Sequence, residues 1–421
     1  MVLYLHKDPP TIQGQVPLPA SKSLSNRVLL IRALAPESFP IHHLAEAEDT
    51  QRMLQLLNSS DSDEEVFDAG PAGTTFRFLT AWLAFRPGQQ ILTGSPRMKQ
   101  RPIGALVDAL RQLGAQIEYL EREGYPPLRI GEAHYSGQYR IPVRADVSSQ
   151  FISALLLIAP TLPQGLEITL EGSLVSRSYL RMTLALMHHF GVPHQWKGTT
   201  IAVPHATYVP KPYTVEGDWS AASYYFAMAA LSETTEMELL HLQPYSFQGD
   251  AIVAQLAQQF GVRHEFDTHV LKVYKDTRAS LAPFFEHDFI DCPDIAQTLA
   301  VMCAATGLQG MCTGLQTLQI KETDRIAALQ KELAKIGVTF AQLPPRFSKK
   351  TGKIWHMIDG KAQLPASPIF DTYEDHRMAM AFAPLALLGR IGIRQPEVVG
   401  KSYPSFWAHL QDLGFEIEEV P

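Results

Sequence analysis

The run Ala105-Leu106-Val107-Asp108-Ala109-Leu110-Arg111-Gln112-Leu113-Gly114-Ala115-Gln116-Ile117-Glu118-Tyr119 reads as an amphipathic helix, a glycine and a strand. Its apolar residues first fall at helical spacing and then alternate with polar ones. Gly114 supplies the left-handed residue that closes a helix at little steric cost. The pattern recurs at Leu184 to Gly191, Ile252 to Gly261, Ile326 to Gly337 and Phe406 to Gly414, the last followed by Phe415-Glu416-Ile417-Glu418-Glu419-Val420. The closing glycines stand 70 to 77 residues apart, farther than in the common solenoids. One period earlier, Thr50 to Leu57 predicts a sixth helix, with a degenerate end at Asn58-Ser59-Ser60. Six α/β units in 421 residues predict two domains of three units, a normal domain size.

The balance of 36 Lys and Arg against 43 Asp and Glu gives a net charge of −7, which argues against general nucleic-acid or membrane-surface binding. With 46% hydrophobic and 19% charged residues the composition is that of a globular protein. The longest apolar run, Phe151 to Pro160, is too short to span a bilayer and predicts a buried helix. Met1 to Pro10 carries His6, Lys7 and Asp8 and lacks the apolar core of a signal peptide. Cys292, Cys303 and Cys312 form neither an even set nor a metal-spaced pair, so a reducing, cytoplasmic setting is expected.

An acidic protein that binds anions must gather its cations locally. Three such clusters are Ser21-Lys22-Ser23-Leu24-Ser25-Asn26-Arg27, Lys321-Glu322-Thr323-Asp324-Arg325 and Asp375-His376-Arg377. Others are Ala72-Gly73-Thr74-Thr75, Arg97-Met98-Lys99-Gln100-Arg101, Ser148-Ser149-Gln150, Ser176-Arg177-Ser178-Tyr179, Pro293-Asp294 and Lys401-Ser402-Tyr403-Pro404. Taken singly, each equally describes a capped surface helix, a tight turn or a solvated loop. Nearly all precede a predicted helix, where free amides and the helix dipole favour anions. Together they point to small, strongly anionic ligands, with Asp and Glu beside them for proton transfer. Neither a Walker-type loop nor a metal-spaced His/Cys/Asp set appears in the sequence.

These clusters, in this order, resemble the 5-enolpyruvylshikimate-3-phosphate synthase family over nearly the whole chain. The most specific stretches are Ser21 to Arg27, Leu92-Thr93-Gly94 through Ile103, Val147 to Phe151, Lys321 to Arg325 and Asp375-His376-Arg377-Met378-Ala379-Met380. The resemblance implies an α/β fold of two similar domains, each of three βαβαββ-like units forming an inside-out α/β barrel. Residues 1–18 and 217–421 would form the domain holding both termini and 19–216 the other, with the active site in the cleft between them. The implied reaction moves the enolpyruvyl group of phosphoenolpyruvate to the 5-hydroxyl of shikimate 3-phosphate and releases phosphate. It implies no metal or organic cofactor, small-molecule partners only, a cytoplasmic location and a monomer.

Carried over residue by residue, the resemblance assigns Lys22, Ser23, Arg27, Ser148, Ser149, Gln150, Ser176, Tyr179, Asp294 and Lys321 to shikimate 3-phosphate. It assigns Lys22, Gly73, Arg101, Gln150, Arg325, Arg377 and Lys401 to phosphoenolpyruvate. Asp294 would take the proton of the attacking hydroxyl, Glu322 would serve the methylene carbon, and Lys22 would complete the catalytic set. Glyphosate would occupy the phosphoenolpyruvate site, and Gly73, lacking a methyl group, favours sensitivity. Four departures stand out. Pro71 replaces an asparagine, Phe78 replaces a proline, Thr317 stands where an asparagine is usual, and Ser59 to Phe67 is short enough to trim a hairpin. Two rivals share the anion-binding logic. A UDP-N-acetylglucosamine enolpyruvyl transferase would carry a reactive cysteine in the domain lacking the termini, yet this chain has no cysteine before Cys292. A non-catalytic anion-binding paralogue would be marked by loss of Asp294, Glu322 or Lys22, and all three are present.

Overall fold

A computed structural model describes residues 1–59, 64–346 and 352–420. The chain divides into two compact units, Ser21–Val215 and a discontinuous one of Met1–Ala20 with Glu216–Pro421.

The repeat becomes a repeated sheet. In the discontinuous unit, strand Phe285–Asp288 pairs in parallel with Gly310–Thr313, which continues antiparallel through His356–Asp359 to Thr339–Gln342. The parallel pair needs a crossover, supplied by helix Ala296–Thr306, and the helix Arg325–Ala334 leads into the antiparallel hairpin. The same four-stranded order occurs around Thr234–Leu240 and around Ile391–Arg394 in this unit, and around Gln89–Thr93 and Leu166–Glu171 in the other. The sixth unit differs. Among the described residues it holds only the parallel pair Ile41–His42 and Tyr213–Thr214. Its helix Glu48–Asn58 ends just before strand Glu64–Asp68, which already pairs with Gln89–Thr93 in the next sheet. Part of the shortened stretch Ser59 to Phe67, residues 60–63, lies outside the described residues.

All five repeat glycines have positive φ, between 76° and 104°. At Gly114 the requirement is doubled, because a Cβ would stand 2.0 Å from the His134 carbonyl oxygen. The segment Ile252 to Gly261 departs from a continuous helix. It is one α-turn, Val253–Leu256, between 3-10 turns Gly249–Ile252 and Ala257–Phe260. The expected helix at Leu184 and the cluster at Ser176 prove to be one element, Arg177–His189.

Helices line the interior and sheets lie outside. Helix Trp219–Leu231 is buried from Trp219 through Ala230, and helix Ser149–Ile158 is buried at every position except Gln150. A helix apolar all round belongs in a core. The strands instead bury alternate residues, as in Arg140–Arg144 and Leu166–Glu171, as a sheet with one wet face must.

Candidate functional site

In the unit Ser21–Val215, four helices open on the predicted clusters: Lys22–Leu34, Gly73–Leu83, Ser149–Ile158 and Arg177–His189. Ser148 caps its helix by accepting from the Gln150 amide. Ser21 does not; it is the N-cap residue, and its buried hydroxyl has no partner. Ser176 enters its helix in the left-handed region at φ 54° and likewise makes no side-chain cap.

Arg27 is the centre of one group. Its guanidinium donates to Thr183 Oγ1 and the Ser23 carbonyl, both at 2.8 Å, and to Ser153 Oγ at 3.3 Å. The Phe78 and Tyr179 rings flank it at 5.5 and 5.7 Å. Burial, with no carboxylate to offset it, pushes its pKa down to about 10. Arg101 forms a second group. A Cβ on Gly73 would lie 2.5 Å from Arg101 Nη1, so the guanidinium covers the first turn of helix Gly73–Leu83. Arg101 is 8% exposed and its Nε is unpartnered. Gln150 Nε2 donates to Thr74 Oγ1 at 3.0 Å, joining the two helix openings. Lys22 is the exception among the cations here, paired with buried Asp49 at 3.1 Å. Thr75 Oγ1 holds the Asp49 carbonyl at 2.9 Å.

The discontinuous unit gathers Asp294, Lys321, Glu322, Arg325 and Arg377. Asp294 lies in the 3-10 turn Pro293–Ile295 before helix Ala296–Thr306, while Lys321 and Glu322 precede helix Arg325–Ala334. Asp375 caps helix His376–Phe382 through the Arg377 amide. Arg325, 1% exposed, reaches Asp375 at 2.7 Å, Glu322 at 2.8 Å and Asp294 at 3.0 Å. Burial opposes its charge, but Asp375, Glu322 and Asp294 outweigh that and raise its pKa. Asp294 also meets Arg377 Nη2 at 3.2 Å and Lys321 at 3.5 Å. Burial lowers the Lys321 pKa, with Asp294 acting against it. Lys401 joins through the backbone, donating to the Glu374 carbonyl at 2.8 Å. Tyr373 and Glu374 both adopt positive φ, 54° and 57°, a strained pair that turns that carbonyl outward.

Of the departures, Pro71 is exposed, Phe78 is fully buried against Arg27, and Thr317 has a buried hydroxyl without a partner. Sequence reasoning missed Asp49, Ser153, Thr183 and the Asp375–Arg325 pair as parts of these groups. Ser153 and Thr183 lie four residues after Ser149 and Tyr179, so helical spacing carried a signal for them. Asp49 and Asp375 pair with cations 27 and 50 residues away, and no local pattern marks such pairs. The three cysteines are free and buried, and burial pushes the Cys312 thiol up to about 12. None lies in the unit Ser21–Val215, where the UDP-sugar alternative needs one. Among the described residues, no helix is long and apolar enough to cross a membrane.

The family model for "EPSP synthase (3-phosphoshikimate 1-carboxyvinyltransferase)" matches residues 7–60 and 57–410. A 3-phosphoshikimate 1-carboxyvinyltransferase of Bacteroides fragilis strain YCH46 is 44% identical over 417 residues, covering 99% of this chain and 98% of the relative. One from Cellvibrio japonicus is 38% identical over 421 residues, covering 94% and 95%. The solved EPSP synthase of Acinetobacter baumannii shares the fold, with a TM-score of 0.78 at 21% identity and full coverage of both chains.

Proposed function

The chain belongs to the EPSP synthase family, and we propose that it transfers the enolpyruvyl group of phosphoenolpyruvate to the 5-hydroxyl of shikimate 3-phosphate, releasing phosphate. One observation carries the assignment of roles: three cations, Lys321, Arg325 and Arg377, converge on the single carboxylate of Asp294, with Glu322 on the same arginine. The reaction needs this combination. A proton must leave the acceptor hydroxyl, another must reach C3 of the donor, and cations must stabilise the departing phosphate.

In this reading, Lys22, Ser23, Arg27, Ser148, Ser149, Gln150, Ser176, Tyr179, Asp294 and Lys321 hold shikimate 3-phosphate. Phosphoenolpyruvate is received by Lys22, Gly73, Arg101, Gln150, Arg325, Arg377 and Lys401. The 5-oxygen forms a bond to C2 of phosphoenolpyruvate as its proton passes to Asp294 and C3 gains a proton from Glu322. The tetrahedral adduct then returns a C3 proton to Glu322, the C2–C3 double bond reforms, and the C2–O bond to phosphate breaks. The donor's own carboxylate and phosphate compete with Asp294 for Arg325 and Arg377. Glyphosate competes with phosphoenolpyruvate, and the enzyme works as a monomer in the cytoplasm.

Phosphate release from both substrates tests the reading. Asp294→Ala and Glu322→Ala should each lower kcat by roughly 10²- to 10⁴-fold. Turnover that survives both substitutions would sink the assignment.

A further inference from the structure

Residues 371–375 join strand Ile369–Phe370 to helix His376–Phe382 and carry two groups of the acidic cluster. One is the Asp375 carboxylate, which meets Arg325 at 2.7 Å. The other is the Glu374 carbonyl, which accepts from Lys401 at 2.8 Å. The Asp375 amide donates back to the Thr372 carbonyl at 2.9 Å and closes the turn. Tyr373 and Glu374 both have positive φ inside it, a conformation that such residues keep only when their surroundings enforce it.

The contacts on this turn converge on Glu332, an acid that the reaction scheme does not use. Glu332 is 0% exposed, and an acid is rarely so buried unless it is paired. Its Oε1 accepts from the Tyr373 hydroxyl at 2.5 Å and its Oε2 from the Asp371 amide at 2.9 Å, so one carboxylate grips the turn on both sides of Thr372. Lys335 Nζ stands 2.6 Å from the same Oε2 and adds a second tie, donating to the Ile369 carbonyl at 3.0 Å and to Asp371 at 2.9 Å. The Lys331 ammonium lies over the Tyr373 ring at 5.9 Å. Glu332 follows Arg325 by seven residues in helix Arg325–Ala334, two turns along one face. The pairs Arg325–Asp375 and Glu332–Tyr373 therefore fasten the same helix to the same turn at two points.

We propose that Glu332 is a positioning residue for the donor site. By holding Tyr373 and Asp371 it fixes the turn that aims the Glu374 carbonyl at Lys401 and the Asp375 carboxylate at Arg325, so both cations are set before phosphoenolpyruvate arrives. Its task is to accept hydrogen bonds. The inference rests on the reading that Lys401 and Arg325 receive phosphoenolpyruvate.

The test is kcat and the KM for each substrate in the full-length enzyme. Glu332→Met keeps the length of the side chain and accepts nothing from Tyr373 or Asp371. Its KM for phosphoenolpyruvate should rise roughly tenfold, with kcat and the KM for shikimate 3-phosphate within about twofold of wild type. Glu332→Gln should restore the KM to within about threefold, because its oxygen still accepts from the Asp371 amide and the Tyr373 hydroxyl can turn to accept from its NH2. Tyr373→Phe cuts one arm of the grip at a half-buried ring. Its KM for phosphoenolpyruvate should rise roughly threefold, which keeps the test decisive even where Glu332→Met folds poorly. Lys401→Met should raise that KM by a smaller factor in the Glu332→Met background than in wild type, since the two residues act through one carbonyl. A purely structural role would lower kcat alone or raise both KM values by the same factor, and either result would overturn the inference. So would a Glu332→Gln variant as impaired as Glu332→Met, or a Lys401→Met effect of equal size in both backgrounds. Absence of turnover in wild type would instead bring down the transferase reading and this inference with it. Turnover with an unchanged KM for phosphoenolpyruvate in Glu332→Met and Tyr373→Phe would remove the inference alone.

Discussion

Arg27 and Arg325 are both buried guanidinium groups in the clusters proposed to bind anions, yet their surroundings are opposite. Arg27 is held by two hydroxyls, a carbonyl and two aromatic faces. Arg325 is held by three carboxylates. The first arrangement orients a cation without neutralising it, so the countercharge must come from a ligand. The second neutralises the cation many times over, so a ligand must compete with resident acids. In the proposed reaction the second arrangement serves proton transfer, because carboxylates that move protons have to stand where the anion binds. An acceptor phosphate that only needs to be held suits the first.

Removing each arginine gives the largest expected difference between the two regions. Arg325→Met takes the shared cation from the carboxylates of Asp375, Glu322 and Asp294, of which Asp294 keeps Arg377 and Lys321, and should cost about 3–5 kcal/mol of stability, read by urea unfolding. Arg27→Met strands none, and its stability should change by less than about 1 kcal/mol, while KM for shikimate 3-phosphate rises roughly 10- to 100-fold. Equal stability losses in the two variants would break the comparison. A smaller effect is expected at Gly73→Ala, where the methyl group meets Arg101 Nη1 at 2.5 Å and the guanidinium must move. KM for phosphoenolpyruvate should rise about tenfold, the equivalent of about 1.4 kcal/mol, with glyphosate inhibition weakened in the same variant. An unchanged KM would show that Arg101 is not a donor ligand. The smallest effect belongs to Phe78. Phe78→Leu removes one aromatic face from Arg27, worth about 0.5–2 kcal/mol, and should raise KM for shikimate 3-phosphate several-fold with kcat little changed. Phe78→Tyr should restore it, and failure of that rescue would assign Phe78 to packing alone.

Much of this was legible in the chain. The helix–glycine–strand repeat reports local energetics, since amphipathic period and a left-handed closing residue are properties of neighbouring residues. It therefore anticipated the repeated sheets, and it overreached at Ile252 to Gly261, where the chain forms short turns although the apolar spacing is helical. The short motifs at helix starts were legible for the same reason, as were the cations and acids they carry.

What composition and period determined is the number of units, the elements within them, and the set of charged side chains available for anions and protons. Only the tertiary structure decided which acid meets which cation. Asp375 lies 50 residues from Arg325 and Asp49 lies 27 from Lys22. Desolvation and Coulomb interaction depend on distance in space, and neighbours along a chain do not set that distance.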